Sequence, residues 1–522
     1  MPSRNRFLAA TALLPALALL ATGCGGDEDK GTKAAEATPS ATPAALARFY
    51  SQKLDWKACT DENLKGVECT KVKVPVDYTK PDGNTLDLHV TRVAATDKAK
   101  RRGALLVNAG GPGLPTTTYL GDAAQWPAGL KAAYDVIAFD PRGVGLSAPL
   151  TCKLDTTVED YVQRPAGPEP FAQQVTEAKQ VAEACRKNRP QGDLGQFTTR
   201  NTARDMDVVR GALGEQKISY EGLSYGTYLG AVFAQMFPAG LDRIVLDGVA
   251  DPGRVWRPMQ QAQTEQSQRN APLFAAWAAE RDSTYHWGAT AEEVEKNLTA
   301  LARKLAVTPV QAEGRAVGAR EVLGSAGMGA TGDEESMKES AEMIRKIQQA
   351  DADGKKATLR PMVAPGTVTD DTPGGDTSPN DNLMASRLAI QCGDVEWPRD
   401  PATYEKDVER MAKELPYGDA SAWNINACAF WDKPVEPPTE IKPLDREVLL
   451  LQSTYDASTP MEGARAMQKA LGDKTRMIEA KGSWAHGLFP GDCVEKATVD
   501  YLVDGTFPAQ DGSCTPSYLK KP

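Results

Sequence analysis

The chain has 522 residues, enough for a large core and too many for one minimal domain. Its apolar content of 41% is ordinary for a globular protein, and a formal charge of −10 without any Lys/Arg-rich run excludes nucleic acid as the expected partner. With only three histidines and no CxxC pair, a zinc site is a poor reading, and no metal or cofactor is expected.

The N-terminus reads as a targeting segment. Arg4 and Arg6 precede an apolar run over 7–21 that is too short to span a bilayer comfortably. The run ends in LATGC, and small residues before Cys24 resemble a bacterial lipobox, although Ala21 stands where Leu or Val is usual. The expectation is a lipoprotein signal peptide over 1–23, lipidation of Cys24 and a polar Pro/Thr/Ala-rich tether over 24–45. A plain secretory signal with an incidental cysteine is the alternative. Either way the protein is exported to an oxidising compartment. Eight further cysteines then allow more connectivities than sequence can choose among. Loop closure favours nearest neighbours, giving Cys59–Cys69, Cys152–Cys185, Cys392–Cys428 and Cys493–Cys514.

From about residue 70, short apolar runs alternate with glycine turns and helical patterns. Strands are expected at 104–108 (ALLVN), 136–140 (VIAFD), 218–223 (ISYEGL), 244–247 (IVLD), 448–452 (VLLLQ) and 476–479 (RMIE). Continuous apolar runs imply parallel strands covered on both faces, hence a doubly wound, mostly parallel α/β sheet. The alternation breaks over 253–435, which is mainly helical in character, as at 291–305 and 335–349. That segment reads as a large cap inserted between two parts of the core, 46–252 and 436–522. A Pro/Gly/Thr/Asp-dense loop interrupts it at 361–382.

Chemistry concentrates after four of these strands. Ser224 follows a strand and precedes a helical run, in GLSYG. A serine on so tight a turn is a nucleophile elbow, with flanking glycines removing collisions and a helix N-terminus favouring developing negative charge. Serine needs a base near pH 7. His89 lies in an alternating early strand and reads as structural. His286 lies in the cap without a motif. His486 follows the last core strand, where this architecture supplies its base. Asp456, after VLLLQ, would fix the imidazole tautomer. Its bland alternative is a helix cap, a role better suited to Thr459 and Pro460. NAGGPG after the first parallel strand points to an oxyanion hole, with the N–H groups of Gly111 and Tyr225 as donors.

NAGGPG, YDVIAFDPRGVGLSAP, GLSYGTYLGAVFAQMFP, RIVLDGV, the DxxTP at Asp456 and the final histidine together resemble the secreted tripeptidyl aminopeptidases of actinobacteria. These are prolyl-aminopeptidase-like serine peptidases on the α/β-hydrolase fold. The likeness spans roughly residues 55–515. It implies Ser224 as nucleophile, His486 as base, Asp456 as orienter, Gly111 and Tyr225 as oxyanion donors, and release of short peptides from free N-termini beneath the cap. Two positions depart from the pattern. Ala109 stands where prolyl aminopeptidases often carry histidine. Glu221 precedes the elbow where an apolar residue is expected, and is read as pointing away into a polar pair.

An aminopeptidase must bind an ammonium group, and Asp394, Glu396 and Asp251 are the carboxylates considered. Arg142 reads as structural. The expected protein is a monomer, anchored on the outer face of the cell membrane and acting on peptides or proteins. A lipase or esterase on the same core is one alternative, and a non-catalytic surface-binding lipoprotein is another.

Overall fold

The computed structural model describes residues 43–519 except 62–63, 118, 121–125, 155–170, 189–192, 313–314, 330–333, 354–378 and 416–419. The signal segment, Cys24, most of the tether and the loop reading over 361–378 therefore lie outside the described residues. Residues 43–45, the end of the tether reading, open the helix Pro43–Tyr50, whose Leu46 and Phe49 are buried in the main core.

Apolar runs build the middle of one ten-stranded sheet. Its strands are β1 (Lys57–Ala58), β2 (Glu68–Pro75), β3 (Thr85–Val93), β4 (Gly103–Asn108), β5 (Tyr134–Phe139), β6 (Ile218–Leu223) and β7 (Leu241–Asp247). A separate hairpin, β8 (Val310–Ala312) and β9 (Arg315–Val317), precedes β10 (Val448–Ser453), β11 (Thr475–Ala480) and β12 (Gly512–Cys514). The order across the sheet is β1-β2-β3-β5-β4-β6-β7-β10-β11-β12. Pairing is antiparallel from β1 through β3 to β5 and parallel from β5 to β12. Every residue of β4 and β10 is buried, as strands covered on both faces require. β2 instead alternates buried and exposed positions towards its end, as an outer antiparallel strand does. This is an α/β-hydrolase sheet, and its parallel strands deliver their C-terminal ends to one edge, where such folds place their sites.

The inserted segment divides between two cores. The helices Arg257–Ala279, Ala291–Val307, Ala319–Gly329 and Glu334–Asp353 share a core built on Phe274, Trp287, Leu298, Leu305 and Ile344. The helix Pro379–Asp394 packs instead on the main core through Met384, Leu388 and Ile390. It also begins within the stretch read as loop, so residues 379–382 are helical. Four disulfides join Cys59 to Cys69, Cys152 to Cys185, Cys392 to Cys428 and Cys493 to Cys514.

Candidate active site

Ser224 sits between β6 and the helix Tyr225–Met236 with φ 59° and ψ −121°. Such a conformation is costly for a residue with a Cβ and persists only where the surroundings hold it. Ser224 N donates to Asp247 O at 2.9 Å, and Thr227 donates to Ser224 O through N at 2.9 Å and Oγ1 at 2.6 Å. The flanking glycines are required by contact. A Cβ on Gly222 would lie 2.5 Å from Gly226 O, and one on Gly226 would lie 2.8 Å from Asn108 O.

Asp456 lies just beyond β10 and is 1% exposed. Its Oδ1 accepts from Ser458 N at 2.8 Å and Thr459 N at 3.0 Å. Its Oδ2 accepts from Thr459 Oγ1 at 2.8 Å and pairs with His486 Nδ1 at 2.9 Å. That last contact fixes which imidazole nitrogen faces away from the acid, leaving Nε2 for a nucleophile. Thr459 was expected to cap the next helix. It instead holds the acid, and Pro460 occupies the N-cap position without a side-chain bond.

His486 follows β11. Burial alone would lower its pKa, but the charge and hydrogen bond of Asp456, with the charge of Asp247, outweigh burial and raise it. Its loop is tied to the end of β7: Asp247 Oδ2 accepts from Leu488 N at 2.7 Å and Phe489 N at 2.8 Å. A Cβ on Gly248 would lie 3.2 Å from the His486 ring, and one on Gly487 would lie 3.0 Å from Leu223 Cδ1. Base and elbow thus pack on the same Asp247–Gly248 turn. Ser224 Oγ makes no hydrogen bond among the described residues, and catalytic bonds of this kind often close only with substrate in place.

The oxyanion loop is shaped by Asn108. Its Oδ1 accepts from Gly110 N at 3.0 Å, while its Nδ2 donates to Thr116 Oγ1 at 3.2 Å. Gly110 has φ 95°, and a Cβ there would sit 2.9 Å from Ser224 Cβ. With the Gly110 N–H occupied, Gly111 offers the next donor, and among the described residues no hydrogen bond engages it. Tyr225 opens a helix, where the first N–H groups have no intrahelical partner. A Cβ on Gly110 would also lie 3.4 Å from Tyr225 N, so the glycine turn abuts the start of that helix beside Ser224.

The carboxylates considered for an ammonium group are differently placed. Asp394 is buried and committed: Oδ1 accepts from Thr199 N at 2.8 Å, and Oδ2 from Thr199 Oγ1 at 2.6 Å and Trp256 Nε1 at 3.1 Å. Burial raises its pKa to about 6 against those bonds. Glu396 is exposed and ion-paired with Arg399 and Lys433. Asp394 is thus closed to a ligand by its own hydrogen bonds, whereas Glu396 uses only Oε1 in its pairs and lies on the surface. Asp251 is half-buried, paired with Arg254 at 3.4 Å, and lines a cavity of about 150 Å³ with Glu265, Glu462 and Thr459. Its cavity reaches the triad's surroundings through Thr459, while Asp394 reaches them only indirectly, through the Thr199 hydroxyl that contacts Tyr225 Oη at 3.0 Å.

Glu221 does not enter a polar pair among the described residues. It lies between Val107 and Val245 on neighbouring strands, and among the described residues neither carboxyl oxygen has a hydrogen-bond partner. Burial, then the charge of Asp247, pushes its pKa well above the usual range. His89 is on β3, with Nε2 3.6 Å from Cys69 Sγ, and His286 is exposed on the cap helices. Arg142 is fully buried against Asp205. Sequence reasoning missed Asp247. The only signal for it was an acid closing a buried apolar run.

A family model described as TAP-like protein matches residues 412–514, a span that includes Asp456 and His486. The tripeptidyl aminopeptidase of Streptomyces lividans is 33% identical over 498 residues, covering 92% of this chain and 89% of that one. Serine protease Hip1 of Mycobacterium tuberculosis is 27% identical over 538 residues, covering 98% of each chain. Carboxylesterase B of Mycobacterium tuberculosis is 29% identical over 511 residues, covering 94% of each.

Proposed function

The chain belongs to the tripeptidyl aminopeptidase family, serine peptidases of the α/β-hydrolase type, and on that premise we propose that it is an exported, lipid-anchored enzyme removing tripeptides from free peptide N-termini. The observation that carries the reading is the 2.9 Å Asp456–His486 contact behind a serine held at φ 59°. Ser224 Oγ attacks the peptide carbonyl as His486 Nε2 takes its proton. The carbonyl oxygen becomes an oxyanion held by the Gly111 and Tyr225 N–H groups. His486 then protonates the leaving amine, the C–N bond breaks, and an acyl-Ser224 ester remains. Water, deprotonated by His486, attacks the ester and releases the N-terminal fragment. Asp456 stabilises the imidazolium in both halves.

The lipobox-like LATGC supports anchoring through Cys24 on the outer face of the cell membrane. The domain reading, with the cap shading the site between two parts of one core, fits Trp484 of the His486 loop packing against the cap's own apolar core.

The test compares free tripeptide anilides with their N-acetylated forms and identifies products from tetra- to decapeptides by mass. Release of intact tripeptides, lost on acetylation, is expected. Equal rates on both forms would remove the aminopeptidase reading and leave an endopeptidase. A second reading, esterase, draws on the likeness to carboxylesterase B. Turnover of acyl esters without turnover of any peptide amide would favour it.

A further inference from the structure

Half-buried and buried guanidinium groups among the described residues are matched with carboxylates or, as at Arg243, Arg446 and Arg476, with backbone carbonyls at short range. Arg142 pairs with Asp205, Arg204 with Glu436, Arg257 with Asp407 and Arg210 with Asp207. Arg387 breaks the rule. It is half-buried on the helix Pro379–Asp394, and it has no carboxylate partner among the described residues. Its guanidinium makes one polar contact there, a long 3.5 Å from Nε to Pro112 O. Both terminal nitrogens are left uncommitted. Burial holds its pKa below the usual arginine range, with no carboxylate among the described residues to raise it again. A guanidinium stays charged nonetheless, so the half-buried cation stands without a counter-ion among the described residues.

Its location is specific. Pro112 follows Gly111, whose N–H is the oxyanion donor. A Cβ on Gly113 would lie 3.2 Å from Arg387 N and 2.9 Å from Leu383 O, so the oxyanion turn rests directly on the helix that carries Arg387. At the other end of the turn, Gly110 touches Ser224. The unmatched fork therefore sits within a few residues of where a scissile carbonyl would lie. Planar, bidentate guanidinium geometry is suited to carboxylate.

We propose that Arg387 is a specificity-determining subsite for a substrate carboxylate next to the scissile bond. The inference rests on the peptidase reading and sharpens it. The carboxylate has two sources: the C-terminus of a short peptide, or an acidic side chain flanking the cut. In the first case the enzyme favours peptides ending just beyond the bond it cleaves, so its substrates are products of endopeptidase cleavage.

The experiment uses a neutral tetrapeptide as free acid, the same tetrapeptide as C-terminal amide, and an amide with Asp beside the cut. Each is measured with the parent, Arg387→Gln and Arg387→Lys. The parent should favour one carboxylate-bearing form over the neutral amide by about 10- to 100-fold in kcat/KM, chiefly through KM, the range of a charge-assisted hydrogen bond. Which form is favoured identifies the source. Arg387→Gln should bring that ratio to within about twofold of one, and Arg387→Lys should keep part of it, as a point charge without the fork. Added salt should reduce the parent's ratio, an independent readout if the Gln variant folds poorly. Turnover of the neutral amide with no discrimination by the parent overturns this inference alone. So does an Arg387→Gln variant that slows all three substrates by one factor. Absence of any peptide turnover overturns the peptidase reading and this inference with it.

Discussion

Asp205 and Glu221 are both fully buried acids in the same fold, and their surroundings follow opposite rules. Asp205 is matched atom by atom: Oδ1 accepts from Tyr78 Oη at 2.7 Å and Arg142 NH2 at 2.6 Å, and Oδ2 from Arg142 Nε at 2.8 Å. The remaining Arg142 N–H groups go to the carbonyls of Pro75, Val76 and Gln196. Glu221, one residue from the elbow's first glycine, has no partner for either oxygen among the described residues. Asp247 stands between these extremes, with Oδ2 holding the His486 loop, Oδ1 unpartnered and its pKa raised by burial to about 6.

The difference is one of job. Away from the site, a permanent cation neutralises the acid and pins β2, the β5 end and the helix Thr199–Ala212 together. Near Ser224, no guanidinium among the described residues contacts Asp456, Asp247 or Glu221, and burial raises the pKa of Asp247 and Glu221 instead. Imidazole is then the one group there that gains positive charge, as a proton relay requires.

The comparison can be broken most sharply at Asp205. Asp205→Ala leaves Arg142 charged and buried without a counter-ion, which should cost about 3–5 kcal/mol of stability. Denaturant unfolding measures it, and a loss below about 1 kcal/mol would show the pair is not structural. Next comes Asp247. Asp247→Ala removes the acceptor for Leu488 and Phe489, and small displacements of a catalytic base cost about 10²-fold in rate. Asp247→Asn keeps an acceptor and removes the charge. Because that charge helps raise His486, and the base must be neutral to act, the acid limb of the kcat/KM profile should move to lower pH than in the parent. An unmoved limb would mean that Asp247 does not act through charge.

The smallest effect is at Glu221. Its folded pKa is raised above the 4.5 of an ordinary glutamate. Folding therefore takes up a proton above that pH, and stability is lost as pH rises through the folded value. Glu221→Gln keeps the shape without the proton. Its stability relative to the parent should grow with pH above 4.5, by up to about 1.4 kcal/mol per pH unit. A constant difference between pH 5 and 8 in thermal melts would place the glutamate's charge elsewhere.

Much of this site is legible in the chain because each part follows a strand that announces itself. Ser224, Asp456 and His486 all come directly after apolar runs, and β6, β10 and β11 lie within a residue or so of their expected bounds. What was hidden depends on distant partners. Asp394 sits on a helix that the sequence assigns to the cap, but Met384, Leu388 and Ile390 seat that helix on the main core. There Thr199 and Trp256 consume the carboxylate. With 70 acidic residues, nothing local separates a committed acid from an open one. The antiparallel edge was half visible: alternation over β3 was readable, while its pairing with β2 was not.

The central claim is that Ser224 is an activated nucleophile served by His486. The direct measurement is labelling of the intact protein with a fluorophosphonate, followed by peptide mapping, in the parent and in Ser224→Ala and His486→Ala. One adduct on Ser224, absent from Ser224→Ala and slowed by orders of magnitude in His486→Ala, is predicted. No adduct, an adduct on another residue, or equal labelling without His486 would contradict it.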